Sequence, residues 1–252
     1  MSVVQYFAFA GLPPRPNPRE ASAVPECGLT LRVSGPMKPG VDDENRSRVF
    51  RSIGVAPDDV VACRQVHSRV VRVADRAETF RSLPEGDGIL TTDTNIVPTV
   101  TVADCMPIWI YDPVAGYFGV LHSGWKGTGI LRVACELAAD EWGAEARNAR
   151  VILGPHIRSC CYTVDAERAD YFRAGFGERC VTLDPEREEA GSRWPYRLSL
   201  VEANRDIALK LGIPAQNIHD SGVCTACDPK YGSSRREGQD RFVHMAAFIR
   251  VR

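Results

Sequence analysis

A succession of six short β-like runs between residues 60 and 121 most constrains what this chain can fold into. The runs are rich in valine, isoleucine and tyrosine, and turn-forming residues separate them. They span residues 60–66, 69–73, 88–91, 97–102, 108–111 and 117–121. Most helical patterns come later in the chain. Strands that cluster first, with helices mainly afterwards, indicate an α+β fold with a mixed sheet rather than a doubly wound fold.

Helical periodicity is clearest over residues 130–142, where apolar residues recur on one face and Gly143 is placed to end the helix. Further helices are predicted over 43–53, 165–176 and 200–211, and further strands over 27–33, 151–153 and 242–249. The N-terminus is predicted to form an edge strand that leads into a proline-rich loop with Pro13, Pro14, Pro16 and Pro18, so that residues 1–26 form a loose segment. No linker-like stretch follows residue 40, which favours one domain over residues 1–252.

Charge and cysteine content narrow the classes of function. Lysine and arginine total 31 against 32 acidic residues, so we expect neither a nucleic-acid nor a membrane partner. The apolar runs are too short to cross a bilayer. The nine cysteines are an odd number in a mid-sized chain, which favours free thiols in a reducing compartment and predicts a cytoplasmic location. We expect a monomer or a small homo-oligomer.

Three potential metal ligands lie near the ends of β-like runs: His67 in C-R-Q-V-H-S, Cys105 in T-V-A-D-C-M-P and His122 in G-V-L-H-S-G-W-K-G-T. Taken singly, a cysteine in an apolar strand is usually a packing residue. Together, one thiol and two imidazoles suit zinc, which in catalytic sites keeps a position open for water or substrate. Strand alternation would place Gln65 on the same face as His67. Pro107 is expected to stop the strand ladder just beyond Cys105.

The residues around these ligands suggest supporting roles. The glycine-bracketed turn after His122 opens the helix over 130–142, and its backbone N–H groups together with Lys126 would attract an anion such as phosphate. Asp104 or Asp87 is placed to orient a histidine ligand or to handle a proton, and Asp104 is our choice for the catalytic set.

Six motifs, in this order, resemble the laccase-domain family, which is also called the purine nucleoside phosphorylase or polyphenol oxidase family (YfiH-like). They are G-D-G-I-L-T-T, V-A-D-C-M-P-I, V-L-H-S-G-W-K-G-T, G-P-H-I-R-S-C-C-Y-T-V, C-T-A-C-D and S-S-R-R-E-G. The resemblance runs from about Cys27 to the C-terminus. It implies an α+β sandwich of the kind also seen in a toxin deamidase, with a central mixed sheet flanked by helices. It also implies a zinc ion held by two histidines and a cysteine, which by motif are His67, His122 and Cys105.

The activity that the resemblance implies is on purine nucleosides. It comprises phosphorolysis of adenosine, inosine, guanosine or methylthioadenosine to the free base and ribose 1-phosphate, and hydrolytic deamination of adenosine. Purine nucleosides and phosphate are therefore the expected partners.

Five residues are predicted to bind substrate or phosphate: Arg32, Asn45, Gln65, Lys126 and Arg235. The family usually has arginine where this chain has Lys126, which keeps the charge but loses the bidentate fork. Arg32 is the match in L-T-L-R-V-S-G, and Asp42, Asn45 and Arg46 fit a family stretch that begins with aspartate and ends with Asn-Arg. Arg236 is a further candidate for phosphate, although a pair such as Arg235 and Arg236 is more often a solvated turn.

Alternative functions remain open at this point. In the first, Cys105 is the nucleophile and His122 the base of a metal-independent hydrolase or amidase, including one that trims a wrong amino acid from a cell-wall precursor. A copper polyphenol oxidase is less favoured, because a multi-copper centre needs more histidines than the five present. A metal-binding interaction module is also possible. Cys224 and Cys227 form C-x-x-C and could make a four-thiolate site with Cys160-Cys161, but packing is the favoured interpretation.

Overall fold

The elements of the fold follow from a computed structural model that describes residues 2–13, 24–238 and 240–251. Pro14, Pro16 and Pro18 of the predicted proline-rich loop lie outside those residues. The strands are β1 Val4–Phe7, β2 Pro25–Thr30, β3 Val60–Ala62, β4 Val71–Val73, β5 Gly88–Thr91, β6 Val97–Val102, β7 Met106–Tyr111, β8 Phe118–Ser123, β9 Arg150–Leu153, β10 Thr163–Val164, β11 Val181–Leu183, β12 Tyr196–Leu198, β13 Ile218–Asp220 and β14 Met245–Val251.

The helices are α1 Asp43–Ser52, α2 Ile130–Trp142, α3 Ala166–Phe176, α4 Pro185–Glu189, α5 Leu200–Lys210 and α6 Ser234–Glu237. The predicted helix over 130–142 is confirmed at both ends. At its C-terminal end, Gly143 adopts the left-handed conformation that closes the helix, with φ of 63°. Within the described ranges, no helix combines the length and the apolar character that crossing a membrane requires.

The strands form two large sheets and one small sheet. The first sheet has five strands in the order β1-β2-β14-β6-β3, and the second has six in the order β13-β9-β7-β8-β5-β4. Both are mixed, since β3 pairs in parallel with β6 and β13 with β9, whereas β14 pairs antiparallel with β6 and β7 with β8. The predicted α+β class is confirmed, as is the predicted edge position of β1. The central sheet of the prediction is divided in two.

An apolar core lies between the two large sheets. It is built from inward-facing residues of β2, β6 and β14 on one side and of β7, β8 and β9 on the other. Trp109 of β7 is fully buried there, and its indole Nε1–H donates to the carbonyl oxygen of Phe248 in β14 at 2.8 Å. Phe7 stacks on the Trp109 ring with centroids 5.2 Å apart. Each such buried side chain contributes about 1.5–3 kcal/mol, which makes this interface a major source of stability.

Helices cover the outer faces of both sheets. α1 packs Val49 and Phe50 against Val97 and Phe248 of the first sheet. α2, α3 and α5 cover the second sheet, where Ile108 and Leu121 contribute to the largest apolar cluster. The resulting order of layers is helix, sheet, sheet, helix.

Two chain connections cross from the first sheet to the second at the same end of the sandwich. The connection from β3 to β4 carries His67, and the connection from β6 to β7 carries Cys105. Because β3 and β6 run in parallel, both connections leave the first sheet at one end. The strand order therefore brings together two residues that are distant in the sequence.

Two predictions about this region are wrong. The strand predicted over 60–66 ends at Ala62, so Gln65 and His67 do not alternate on a strand. Pro107 does not stop the ladder. β7 begins at Met106, and Pro107 is paired with His122 of the neighbouring strand β8. Proline lacks only the N–H group, and its carbonyl accepts a hydrogen bond from the backbone N–H of Gly154 at 2.9 Å.

Candidate active site

The imidazoles of His67 and His122 and the thiol of Cys105 converge at one end of the sandwich. One potential ligand atom from each lies within 4.8 Å of the others. The two imidazole rings meet edge to face, with centroids 5.0 Å apart. His122 is buried, Cys105 is partly buried and His67 is exposed. The cluster thus has a closed side in the protein and an open side at which a reactant can approach.

Asp87 positions both histidines through its two carboxylate oxygens. Its Oδ1 lies 2.9 Å from His122 Nδ1 and accepts the backbone N–H of His67 at 3.1 Å. Its Oδ2 accepts the backbone N–H and the hydroxyl of Ser68, both at 2.7 Å, and the backbone N–H of Val66 at 3.3 Å. With its Nδ1 directed at a carboxylate, His122 leaves Nε2 free to act as a ligand. One buried carboxylate therefore fixes one ring and the loop that carries the other.

Two residues at the site hold backbone conformations that are unusual for residues other than glycine. His67 has φ of 59° and Asp104 has φ of 85°. Such conformations cost of order 1–3 kcal/mol and persist where the surroundings fix them. At His67 the hydrogen bonds to Asp87 do so. At Asp104, Oδ1 accepts from the Thr225 hydroxyl and Oδ2 from the backbone N–H of Arg235, both at 2.7 Å. The carboxylate that orients a histidine is thus Asp87, and Asp104 instead ties its own turn to the loop of Thr225 and to the first turn of α6.

The charges of the site are mutually dependent. Burial would raise the pKa of Asp87, but hydrogen bonds from His122 and Ser68 outweigh it and hold the pKa at about 2. Burial also opposes the charged forms of Cys105 and His122. The contact between Cys105 and His122 nevertheless lowers the pKa of the thiol and raises the pKa of the imidazole. The carboxylate of Asp87 raises the pKa of His122 further. The pair therefore favours a thiolate beside an imidazolium when no metal ion is bound.

Two glycines in the turn after His122 leave room for this packing. A Cβ atom on Gly124 would lie 2.8 Å from Cys105 Sγ, and one on Gly127 would lie 3.1 Å from the carbonyl oxygens of His122 and Ser68. Lys126 between them is exposed, with Nζ 5.2 Å from the centroid of the Trp125 ring. Since α2 begins only at Ile130, the helix end is several residues away from Lys126.

Of the residues predicted to bind substrate, two use their polar atoms within the protein. The Asn45 amide donates to the carbonyl oxygens of Ser34 and Pro36 at 3.0 and 2.8 Å. The Gln65 amide donates to the Thr101 carbonyl at 2.9 Å, and its oxygen accepts the Thr101 backbone N–H at 2.6 Å. Both amides thus help to hold neighbouring backbone in place, and their role in binding substrate stays a prediction.

The predicted arginines are also engaged. Arg32 forms an ion pair with Glu237, with 3.2 Å between Nε and Oε1. Arg235 donates to the carbonyl oxygens of Cys161 and Thr163, both at 3.1 Å. Arg236 donates to the carbonyl oxygens of the 225–231 loop. Lys126 is exposed in the turn directly after His122.

Arg168 is a residue that sequence reasoning missed. Its guanidinium lies 4.5 Å from the centroid of the Trp125 ring, in the turn that follows His122. Its Nε is buried and has no hydrogen-bond partner among the described residues. Its interaction with the hydroxyl of Tyr162 opposes the rise in the Tyr162 pKa that burial causes. Arg168 lies on α3, more than forty residues after His122, and no local pattern marks it.

The donor set of the site fits zinc. Two imidazole nitrogens and one sulfur are ligands that zinc accepts, and a spacing within 4.8 Å allows all three to reach one ion at about 2.0–2.3 Å after small adjustments. Three protein ligands with an open side is the arrangement of catalytic rather than structural zinc sites. Asp87 supplies the carboxylate partner that histidine ligands usually have.

Comparisons with known proteins cover most of the chain. A family profile described as "Multi-copper polyphenol oxidoreductase laccase" matches residues 38–252, which include all three potential ligands. The chain is 32% identical over 216 residues to "Purine nucleoside phosphorylase YlmD" of Bacillus subtilis (strain 168), covering 82% of this chain and 76% of that protein. It is 34% identical over 207 residues to "Adenosine deaminase RL5" of an unknown prokaryotic organism, covering 77% and 76%.

A solved structure shares the arrangement of the elements. The crystal structure of the Bacillus licheniformis hypothetical protein YfiH aligns with a TM-score of 0.80 at 28% sequence identity. The alignment covers 90% of this chain and 93% of that one. The division into two packed sheets is therefore that of a known fold.

Proposed function

The chain belongs to the multi-copper polyphenol oxidoreductase laccase family, and we propose that it is a zinc-dependent enzyme that acts on purine nucleosides. The proposed reactions are phosphorolysis of adenosine, inosine, guanosine or methylthioadenosine, and hydrolytic deamination of adenosine. Relatives named as a purine nucleoside phosphorylase and as an adenosine deaminase support this choice. The observation that carries it is the convergence of two imidazoles and one thiol at an open end of the sandwich.

In this proposal His67, Cys105 and His122 hold the zinc ion. When bound, zinc supplies a Lewis acid that polarises an oxygen nucleophile at neutral pH. Asp87 keeps the proton of His122 on Nδ1, so that Nε2 faces the ion. The exposed side chain of His67 leaves a direction of approach for the nucleoside.

Two cationic side chains are proposed to bind phosphate. Lys126 provides an exposed positive charge in the turn directly after His122. Arg168 provides a guanidinium whose buried Nε has no partner among the described residues. A donor that is buried without a partner is costly, and an anion at this position would satisfy it. The Lys126 amine and the Arg168 guanidinium both lie near the Trp125 ring, at 5.2 and 4.5 Å from its centroid.

The test is a pair of product assays on zinc-loaded protein. Inosine with phosphate should yield hypoxanthine and ribose 1-phosphate, and adenosine in phosphate-free buffer should yield inosine. His122→Ala and Cys105→Ser should abolish both products, whereas Cys135→Ala, which removes a buried thiol in α2, should retain them. Lys126→Ala and Arg168→Ala should raise the KM for phosphate and leave deamination nearly unchanged. Absence of both products from the zinc-loaded protein would exclude the proposal.

A second function is favoured by one specific observation. The contact of Cys105 with His122 lowers the pKa of the thiol and raises that of the imidazole, as in cysteine hydrolases. In that case Cys105 is the nucleophile, His122 is the base and no metal is needed. Full turnover after exhaustive chelation would support it, whereas loss of turnover that zinc restores would support the nucleoside enzyme. Copper oxidase chemistry is disfavoured, since only two of the five histidines belong to the cluster.

A further inference from the structure

A second group of potential metal ligands lies outside the site described above. We propose that Cys160, Cys161, Cys224 and Cys227 form a structural four-thiolate zinc site. Their four sulfur atoms lie within 4.8 Å of one another. Cys160 and Cys161 lie in the loop between β9 and β10, and Cys224 and Cys227 in the loop between β13 and α6. The site thus joins two loops separated by more than sixty residues.

The sulfur spacing fits shared coordination better than a disulfide. Cys227 Sγ lies 3.7 Å from Cys160 Sγ and 3.3 Å from Cys161 Sγ. A tetrahedral zinc ion with bonds of about 2.3 Å places its sulfur ligands about 3.8 Å apart. A disulfide requires about 2.05 Å. All four sulfurs are therefore within reach of one ion, whereas no two of those measured are bonded.

Packing does not account for the cluster. Cys160 and Cys227 are exposed and Cys161 is partly exposed, so only Cys224 is buried. Free cysteines that serve as small apolar residues are among the most buried residues in proteins. Four thiols brought together at a surface by two loops are typical of a structural metal site.

Cationic side chains and a backbone donor lie around the four cysteines. Four thiolates outnumber the two positive charges of zinc, and cationic side chains offset the difference. Arg197 donates to the carbonyl oxygen of Cys160 at 2.9 Å, and Arg235 to that of Cys161 at 3.1 Å. The backbone N–H of Arg158 donates to Cys224 Sγ at 3.5 Å. Hydrogen bonds to ligand sulfurs and nearby charges are the supporting contacts that metal sites use.

The proposed site is linked to the first cluster through one hydrogen bond. Thr225 lies between Cys224 and Cys227, and its hydroxyl donates to Asp104 Oδ1 at 2.7 Å. Asp104 directly precedes Cys105. A metal ion that fastens the 224–227 loop would therefore fix the turn that presents Cys105, without contacting substrate. This inference does not depend on the proposed activity.

Metal stoichiometry of the purified chain tests the proposal. The protein is loaded with Zn²⁺ under reducing conditions, freed of loose metal by gel filtration, and measured by elemental mass spectrometry. We expect two equivalents in the unaltered chain, one in Cys227→Ser and one in His67→Ala, with none in the double variant. Cys135→Ala is the matched control and should keep two. Cys227 is exposed, so its substitution leaves the core intact.

A spectroscopic measurement separates the two sites. Co²⁺ in place of Zn²⁺ gives a thiolate charge-transfer absorption whose intensity increases with the number of sulfur ligands. Cys227→Ser should remove most of that absorption and His67→Ala only a small part. The proposal is overturned if Cys227→Ser retains the same metal content as the unaltered chain, if Cys135→Ala loses an equivalent as well, or if peptide mapping of the reduced and metal-loaded protein finds Cys227 in a disulfide.

Discussion

Replacing Asp87 with asparagine should lower both the stability of the protein and its affinity for zinc. The Asp87 carboxylate holds the His122 ring and also the loop that carries His67. Asp87 is fully buried and accepts hydrogen bonds from the side chain of His122 and from the loop of residues 66–68. Asparagine has the same shape but replaces one acceptor oxygen with an NH2 group and removes the charge. In either orientation, this NH2 group would face N–H or O–H donors of the protein.

The size of the stability loss in Asp87→Asn follows from the depressed pKa of Asp87. Hydrogen bonds hold the pKa of Asp87 at about 2 despite burial, against an ordinary value of 3.8. At about 1.4 kcal/mol per pKa unit, this difference corresponds to about 2–3 kcal/mol of stability at neutral pH. Because the folded-state pKa is depressed, this contribution is present above about pH 4 and is lost as the pH falls toward 2. The affinity for zinc should fall about 10–100-fold, as is usual when the partner of a histidine ligand is removed.

The assay is urea unfolding of chelator-treated protein at pH 7 and at pH 3, followed by a zinc titration at pH 7. Asp87→Asn should unfold with a free energy about 2–3 kcal/mol lower at pH 7, and the gap should narrow at pH 3. Asp75→Asn removes an exposed carboxylate from the loop after β4 and is the matched control. Equal stability and equal zinc affinity of Asp87→Asn and the unaltered chain would refute the positioning role of Asp87.

Two further substitutions probe the packing of the site and of the sheets. Gly124→Ala places a Cβ 2.8 Å from Cys105 Sγ, so the zinc affinity measured by titration should fall at least about tenfold. The control is Gly175→Ala in α3, where an added Cβ meets open space. It should leave the zinc affinity unchanged and raise the free energy of unfolding by about 0.5–1 kcal/mol. An unchanged affinity in Gly124→Ala would contradict the close approach of this turn. Trp109→Phe removes the indole donor to the carbonyl oxygen of Phe248 and should lower the free energy of unfolding in urea by about 0.5–1.5 kcal/mol. A loss below about 0.5 kcal/mol would show that this hydrogen bond does not stabilise the sheet interface.

The sequence alone predicted the bounds of those helices and strands that depend mainly on residues close together in the chain. The helix over 130–142 was predicted to the residue, because its apolar periodicity and the left-handed Gly143 are both local features. The strands over 88–91 and 97–102 were predicted equally well. Convergence of the three potential ligands was expected from the coincidence of motifs, and the parallel pairing of β3 with β6 is the physical reason for it.

Long-range hydrogen bonds explain what the sequence could not predict. Alternation suggested that Gln65 and His67 share a face, but Asp87 draws the backbone of His67 into a left-handed conformation, and Thr101 binds the Gln65 amide. Whether a polar side chain faces a ligand or its own backbone is decided by partners far along the chain. The sequence alone therefore could not show that Asn45 and Arg235 also bind backbone carbonyl oxygens of their own chain.

The location of the site follows from the way the chain passes between the two sheets. Residues within a strand are fixed by the ladder and alternate between faces, so they cannot be turned toward a common point. His67 and Cys105 lie instead on connections, where φ is free to take the values that aim each side chain at His122. Those conformations are unfavourable by themselves. Buried carboxylates offset that cost. Asp87 accepts hydrogen bonds from the first connection, and Asp104, in the second connection, accepts them from the Thr225 loop and from α6. Replacing either carboxylate should therefore release a connection while leaving the sheets intact, because neither side chain contributes to the apolar core between them.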